Sequence, residues 1–237
     1  MTRTAFLSTA RLAGLVYLVV VLSGIVTLAY VPSKLTVRDD AAQTVRNITE
    51  SEELFRAGIA AGFVCYIAFL VLPLLLFRLL GHVDRNAALL MVVLALTSVP
   101  ISLLNMAHNF DVLTLLSGRP YLAGYPAGQL DAAVMLSLAS YANGILVAKI
   151  FWGLWLFPLG YLVLRSGIIP RVLGVFLVLG CAGYLVDVFG RTLVADYASS
   201  AIAGYATLPA SVGEIGTCLW LLVFGARSDP ESGAASP

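Results

Sequence analysis

Charge is what this chain has least of. Only 11% of its 237 residues are Asp, Glu, Lys or Arg, where soluble domains carry roughly 25%. A 25.1 kDa globule so poor in polar groups has nothing to cover its surface with in water, which excludes soluble enzymes and disordered chains. The 14 basic and 13 acidic residues balance to +1. There is no basic run and no interleaving of basic with aromatic residues, so nucleic acid is excluded as a partner. Histidine occurs only at His82 and His108. Only His108 lies in an apolar run, which argues against a bis-histidine haem carrier. The three cysteines, Cys65, Cys181 and Cys218, each sit inside an apolar run without a C-x-x-C pair. They read as small hydrophobes in helix interfaces, neither a disulfide framework nor a metal site. No cofactor and no metal are expected.

What the chain has in quantity is apolar sequence: 60% hydrophobic residues and a mean hydropathy of +0.95. A bilayer core takes about 20 apolar residues per helix. Six stretches qualify, near 12–30, 57–80, 86–116, 144–164, 172–188 and 208–225, the fifth running on toward Leu193. Each is continuous rather than alternating, which selects helices over a barrel. The expected fold is all-α, an integral membrane bundle of six transmembrane helices. It forms one domain over 1–227, followed by a disordered tail at 228–237. The first stretch is longer than a signal-peptide core and lacks a small-x-small site after it, so it reads as a retained helix.

The connections alternate in character. Arg78 and Arg85 flank one short turn, and Arg165 and Arg171 flank another. The connections at 31–56, 117–143 and 191–207 are longer. Arginines close to helix ends favour the cytoplasmic side, which places both termini there. The outer loops are expected to carry short extra helices at 36–47 and at 129–141, the second lying at the interface before Asn143-Gly144.

Ionisable groups at membrane depth are costly and need partners or water. Counted at ~1.5 Å per residue from the flanking arginines, Lys149 and Asp187 lie roughly 24 Å up, Glu214 roughly 20 Å, and Asn105 and His108 roughly 30–35 Å. These five residues share the outer half of the membrane and form the candidate ligand-binding set. Each has a plainer reading beside this one. Lys149 can snorkel, Asp187 can pair with Arg191 at i+4, and Asn105 and His108 can be hydrogen-bonded interface residues. Glu214, set among the small residues of Ser211-Val-Gly-Glu-Ile-Gly-Thr217, is the hardest to place at a surface.

Five stretches stand out: Ala10-Arg-Leu-Ala-Gly-Leu-Val-Tyr17, Tyr30-Val-Pro-Ser-Lys34, Phe151-Trp-Gly-Leu-Trp-Leu-Phe-Pro-Leu-Gly-Tyr161, Arg165-Ser-Gly-Ile-Ile-Pro-Arg-Val-Leu-Gly174 and Gly213-Glu-Ile-Gly216. With them the chain resembles a family of bacterial multi-pass membrane proteins catalogued only as a domain of unknown function. The resemblance covers nearly the whole chain and implies a bacterial inner-membrane protein of several helices. It implies no activity or substrate. Asp187 and Glu214 follow the pattern of such sequences, whereas Lys149 stands where a neutral polar residue is expected.

Three functions remain open at this point. The first is binding or permeation of a small apolar or amphipathic molecule through a polar pocket in the outer half of the bundle. The second is a membrane enzyme that uses paired carboxylates on a lipid-like or isoprenoid substrate. The third is a structural or regulatory partner. All three share the lipid bilayer as surroundings.

Overall fold

The structure is a computed structural model that describes residues 3–225; the tail expected at 228–237 lies outside them. Among the described residues all regular structure is helical. Six helical stretches are long and apolar enough to cross a membrane: Phe6–Leu35, Glu52–Leu80, Arg85–Leu115, Gly128–Ser166, Arg171–Leu193 and Ala201–Val223. The protein is an all-α membrane bundle, as its continuous apolar runs predict.

Several spans are built from more than one helix. The first joins α1 (Arg3–Ile25), a π-helical turn (Val26–Tyr30) and α2 (Val31–Leu35). A short amphipathic helix, α3 (Ala41–Glu50), follows in the loop where one is expected, and α4 (Glu52–Leu80) is the second span. The third span is α5 (Arg85–Asn105) and α6 (Ala107–Leu115), interrupted at Met106. There the Met106 amide is shared between the carbonyls of Ser102 at 3.3 Å and Leu103 at 3.2 Å, which tightens the turn.

The fourth span joins α7 (Ala127–Leu154) to α8 (Leu156–Ser166). Pro158 has no N–H to offer the carbonyl one turn earlier, and the helix breaks at Trp155. The fifth span is α9 (Arg171–Leu193), and the sixth joins α10 (Ala201–Tyr205) to α11 (Leu208–Val223).

One expectation needs correcting. The segment 129–141 is helical, but it is not a separate helix ended by Asn143-Gly144: α7 runs through both residues unbroken. In lipid a continuous helix satisfies its own backbone, and a glycine serves better as a packing site than as a stop. Gly144 does pack. A Cβ there would collide with the Asn105 side-chain amide.

The chain divides into two compact units. The first gathers the described residues of Met1–Leu18, Ala68–Ser98 and Lys149–Pro237. Its helices approach closely through small residues. A Cβ on Gly160 would lie 2.8 Å from the Gly174 carbonyl oxygen, and one on Gly174 would lie 2.9 Å from that of Gly160, which seats α8 on α9. A Cβ on Gly180 would lie 2.6 Å from the Ala210 Cα, and one on Gly213 would lie 2.9 Å from the Leu177 amide nitrogen, seating α11 on α9. Lipid tails are as apolar as leucine, so close backbone approach of this kind, rather than apolar burial, holds such helices together.

The second unit is Val19–Ile67 with Val99–Ala148. In it α3 folds back on α2. Asp40 caps α3 by accepting from the Gln43 amide at 2.8 Å. The buried Thr44 hydroxyl accepts from the Val37 amide at 3.0 Å, and the Asn47 side-chain amide donates to the Leu35 carbonyl at 3.2 Å.

Candidate functional site

The first unit holds two carboxylates inside its spans, and their surroundings differ. Asp187, on α9, is 1% exposed. Lys149 Nζ on α7 donates to its Oδ2 at 2.9 Å, and Arg191 Nε, one turn further along α9, donates to its Oδ1 at 2.8 Å. The cross-helix partner and the local i+4 partner are therefore both present, one cation per oxygen. Both cations keep partial contact with the surface, so their heads need not be wholly desolvated. The carboxylate is committed.

Glu214 is not committed in this way. It sits on α11 beside Gly213, and since adjacent helical positions point about 100° apart, Gly213 can face α9 while Glu214 faces elsewhere. It faces α1. Tyr17 Oη donates to Glu214 Oε1 at 3.2 Å. The two helices are drawn together one turn away, where a Cβ on Gly14 would lie 2.5 Å from the Leu222 amide nitrogen and the Cys218 thiol donates to the Gly14 carbonyl at 3.5 Å. Among the described residues Glu214 makes no ion pair, and the Tyr17 hydroxyl is its hydrogen-bond partner.

An aromatic wall backs this group. Tyr17 is 1% exposed, and its ring lies 6.4 Å from that of Trp155, which meets Phe69 edge-on at 5.1 Å. Tyr184, on α9, is within electrostatic reach of both Glu214 and Asp187. It is held against α7 at Gly153, where a Cβ would lie 2.6 Å from the Tyr184 Cβ. Thr217, one turn beyond Glu214, is fully buried, and its hydroxyl has no hydrogen-bond partner among the described residues. The group thus offers a lightly engaged carboxyl, two tyrosines, a threonine hydroxyl and an ion triad of two cations on one carboxylate, within apolar walls.

Asn105 and His108 belong to the second unit. Asn105 is 7% exposed and donates from Nδ2 to the Tyr141 carbonyl at 2.8 Å. His108 pairs with Asp111, one turn along α6, at 3.4 Å, and both side chains are well exposed. The carboxylate beside His108 is therefore its own neighbour.

Sequence reasoning overlooked Tyr17 and Tyr184. Tyr17 had a signal: a tyrosine in mid-span must find a partner for its hydroxyl, and α11 holds one of the few acceptors at depth. Tyr184 had none, because only the packing at Gly153 brings it near the carboxylates. The three cysteines are free and buried. No set of three described His, Cys, Asp or Glu side chains converges in a way that would hold a metal ion.

Among curated proteins and among solved structures, nothing matches the chain. A family model does match, over residues 12–225, from within the first span to beyond the end of the sixth. The chain belongs to that family, DUF4386, described as a domain of unknown function.

Proposed function

We propose that the protein binds a small amphipathic molecule with a hydrogen-bond-donating head, at the Tyr17, Tyr184 and Glu214 group. The observation that carries this reading is the contrast between the two carboxylates. Asp187 is matched by two cations, whereas Glu214 has one hydroxyl partner. A carboxyl within a membrane span that is not used up in packing is a functional candidate by default. An acceptor of that kind suits an ammonium or hydroxyl head, and the aromatic wall of Tyr17, Trp155 and Phe69 suits an alkyl chain. The buried Thr217 hydroxyl adds a further polar contact.

Binding is favoured over catalysis for a specific reason. Acid–base work by paired carboxylates needs two groups free to exchange protons, and Asp187 is engaged at both oxygens.

The test is saturable binding of dodecylamine to the detergent-purified protein, with dodecanoate as the comparison. The amine should bind and the carboxylate should not compete. Glu214→Gln should weaken amine binding about tenfold or more, the loss expected for one charged hydrogen bond. Its Oε1 still accepts from Tyr17, so the unfolding midpoint should stay close to wild type. Equal binding of amine and carboxylate, or an unchanged affinity in the Gln variant, would sink the reading.

A further inference from the structure

One end of the first unit, the end that carries the two short turns, has no part in the function proposed above. Four arginines stand there at the ends of spans: Arg78 and Arg85 around one turn, Arg165 and Arg171 around the other. All four are exposed. Among the described residues, none of their side chains makes an ion pair or a hydrogen bond. Basic groups elsewhere are mostly engaged: Arg56 with Glu52, Lys149 and Arg191 with Asp187, Arg46 with Gln43 and Arg119 with the Tyr121 hydroxyl. Open arginines gathered at one end repel one another unless an anion lies among them. Asp84 is the single acidic residue of the two turns, and it is already used. Its Oδ1 caps α5, and its Oδ2 accepts from the Tyr161 hydroxyl at 3.4 Å.

The two turns are held together. Tyr161 reaches Asp84 from α8, and the Arg165 guanidinium lies 4.8 Å over the Tyr161 ring. The ring positions this guanidinium without consuming its N–H donors, which leaves a planar fork suited to phosphate.

Apolar groups gather at the same end. The Trp220 indole N–H donates to the Ile168 carbonyl in the second turn at 3.2 Å, and its ring lies 4.5 Å from that of Phe224. Phe6 on α1 meets His82 of the first turn edge-on at 6.3 Å. Phe224, Val223 and Val172 are exposed. Open arginines at span ends beside exposed apolar side chains offer a phosphate and its acyl chains adjoining surfaces.

We infer that the two turns form a binding site for an anionic phospholipid with two phosphates in its head, of which cardiolipin is the representative. The pairing carries the choice. Two arginines bracket each turn, one pair per phosphate, and the bond from Tyr161 to Asp84 keeps both pairs within reach of one headgroup. A single phosphate engages one pair and leaves the other open. A zwitterionic head brings its own cation toward the arginines and gains little.

The experiment uses the full-length protein in detergent and follows lipid binding by native mass spectrometry. The probes are tetraoleoyl cardiolipin, dioleoyl phosphatidylglycerol and dioleoyl phosphatidylcholine. Cardiolipin should bind saturably and about tenfold tighter than phosphatidylglycerol, with phosphatidylcholine negligible. Arg85→Gln and Arg171→Gln, one from each pair, should each weaken cardiolipin about fivefold, the loss expected for one interfacial arginine. Arg38→Gln, in another connection, should leave it unchanged. Tyr161→Phe keeps all four arginines but unties the turns, so it should narrow the gap between cardiolipin and phosphatidylglycerol. Inorganic phosphate at matched ionic strength should not displace the lipid. Unfolding midpoints measured without lipid check each variant, and Arg78→Gln replaces either arginine variant that does not fold. Phosphatidylglycerol bound as tightly as cardiolipin, equal losses from Arg38→Gln and Arg85→Gln, affinity untouched by every folded arginine variant, an unchanged gap in Tyr161→Phe, or displacement by inorganic phosphate would overturn the inference. No residue of the Glu214 group takes part, so failure of dodecylamine binding leaves this test intact.

Discussion

At Asp187, partner number decides what a mutation costs. Its carboxylate meets Lys149 at one oxygen and Arg191 at the other. Replacing it by Asn leaves two cations facing each other without an anion. Because both retain some contact with the surface, the loss should fall below that of a fully buried pair, at about 2–3 kcal/mol. Lys149→Met removes one donor while Arg191 still holds the carboxylate, so its cost should be nearer 1 kcal/mol. Unfolding midpoints in detergent, compared between the two variants, check the order. A Lys149→Met protein less stable than Asp187→Asn would mean that the lysine carries weight beyond the triad. The sequence made this triad legible in part. The i+4 spacing of Asp187 and Arg191 is visible in the text of the chain, and Lys149 lies at a matching depth. The tie between Tyr17 and Glu214 was not visible, because it depends on the close approach of α1 and α11 at Gly14, and sequence spacing cannot report which helices touch.

At the scale of elements, the short turn before α5 shows how a loop sets a helix. Asp84 is its N-cap: Oδ1 accepts from the amides of Asn86 and Ala87, each at 3.0 Å, and Oδ2 accepts from the Tyr161 hydroxyl at 3.4 Å. The Arg165 guanidinium lies 4.8 Å above the Tyr161 ring, so the turns after α4 and α8 are tied together. The bond from the Ala87 amide, then those from Asn86 and Tyr161 and the charge of Arg165, hold the Asp84 carboxyl below its ordinary value. A depressed carboxyl stabilises the fold above its unfolded pKa of about 3.9, and that contribution fades as pH falls through the lowered folded value. Midpoints measured from pH 7 down to the acid limb should therefore fall more steeply for wild type than for Asp84→Asn, whose amide still caps but does not titrate there. Parallel curves would remove the role given to the charge. The short helix α3 was readable in advance, but not its cap at Asp40 or the cap at Asp84. Nor were the breaks. The interruption at Trp155 follows from Pro158, and the π turn at Val26–Tyr30 is followed at once by Pro32 in α2, which offers no N–H to the carbonyl of Leu28.

At the scale of the whole molecule, six apolar stretches among the described residues are long enough to cross a membrane, and an even number of crossings would put both ends on one side. The side is argued from position: Arg78, Arg85, Arg165 and Arg171 are exposed and stand at the ends of spans around the two short turns. Positive residues this close to span ends resist translocation, whereas those in longer loops count for less. We therefore expect the short turns and both termini in the cytoplasm, and α3 with the 191–207 connection outside. Alkaline phosphatase fused after Arg38 should be active and fused after Arg227 inactive, with a fluorescent protein giving the reverse pattern. Reversing charge should act in proportion: Arg78→Glu together with Arg85→Glu should raise the misoriented fraction more than Arg46→Glu, since the former lie at span ends and the latter in α3. Matching signals from the two fusion points would break the six-span count itself. Opposite signals with the sides exchanged would keep the count and overturn the arginine argument alone.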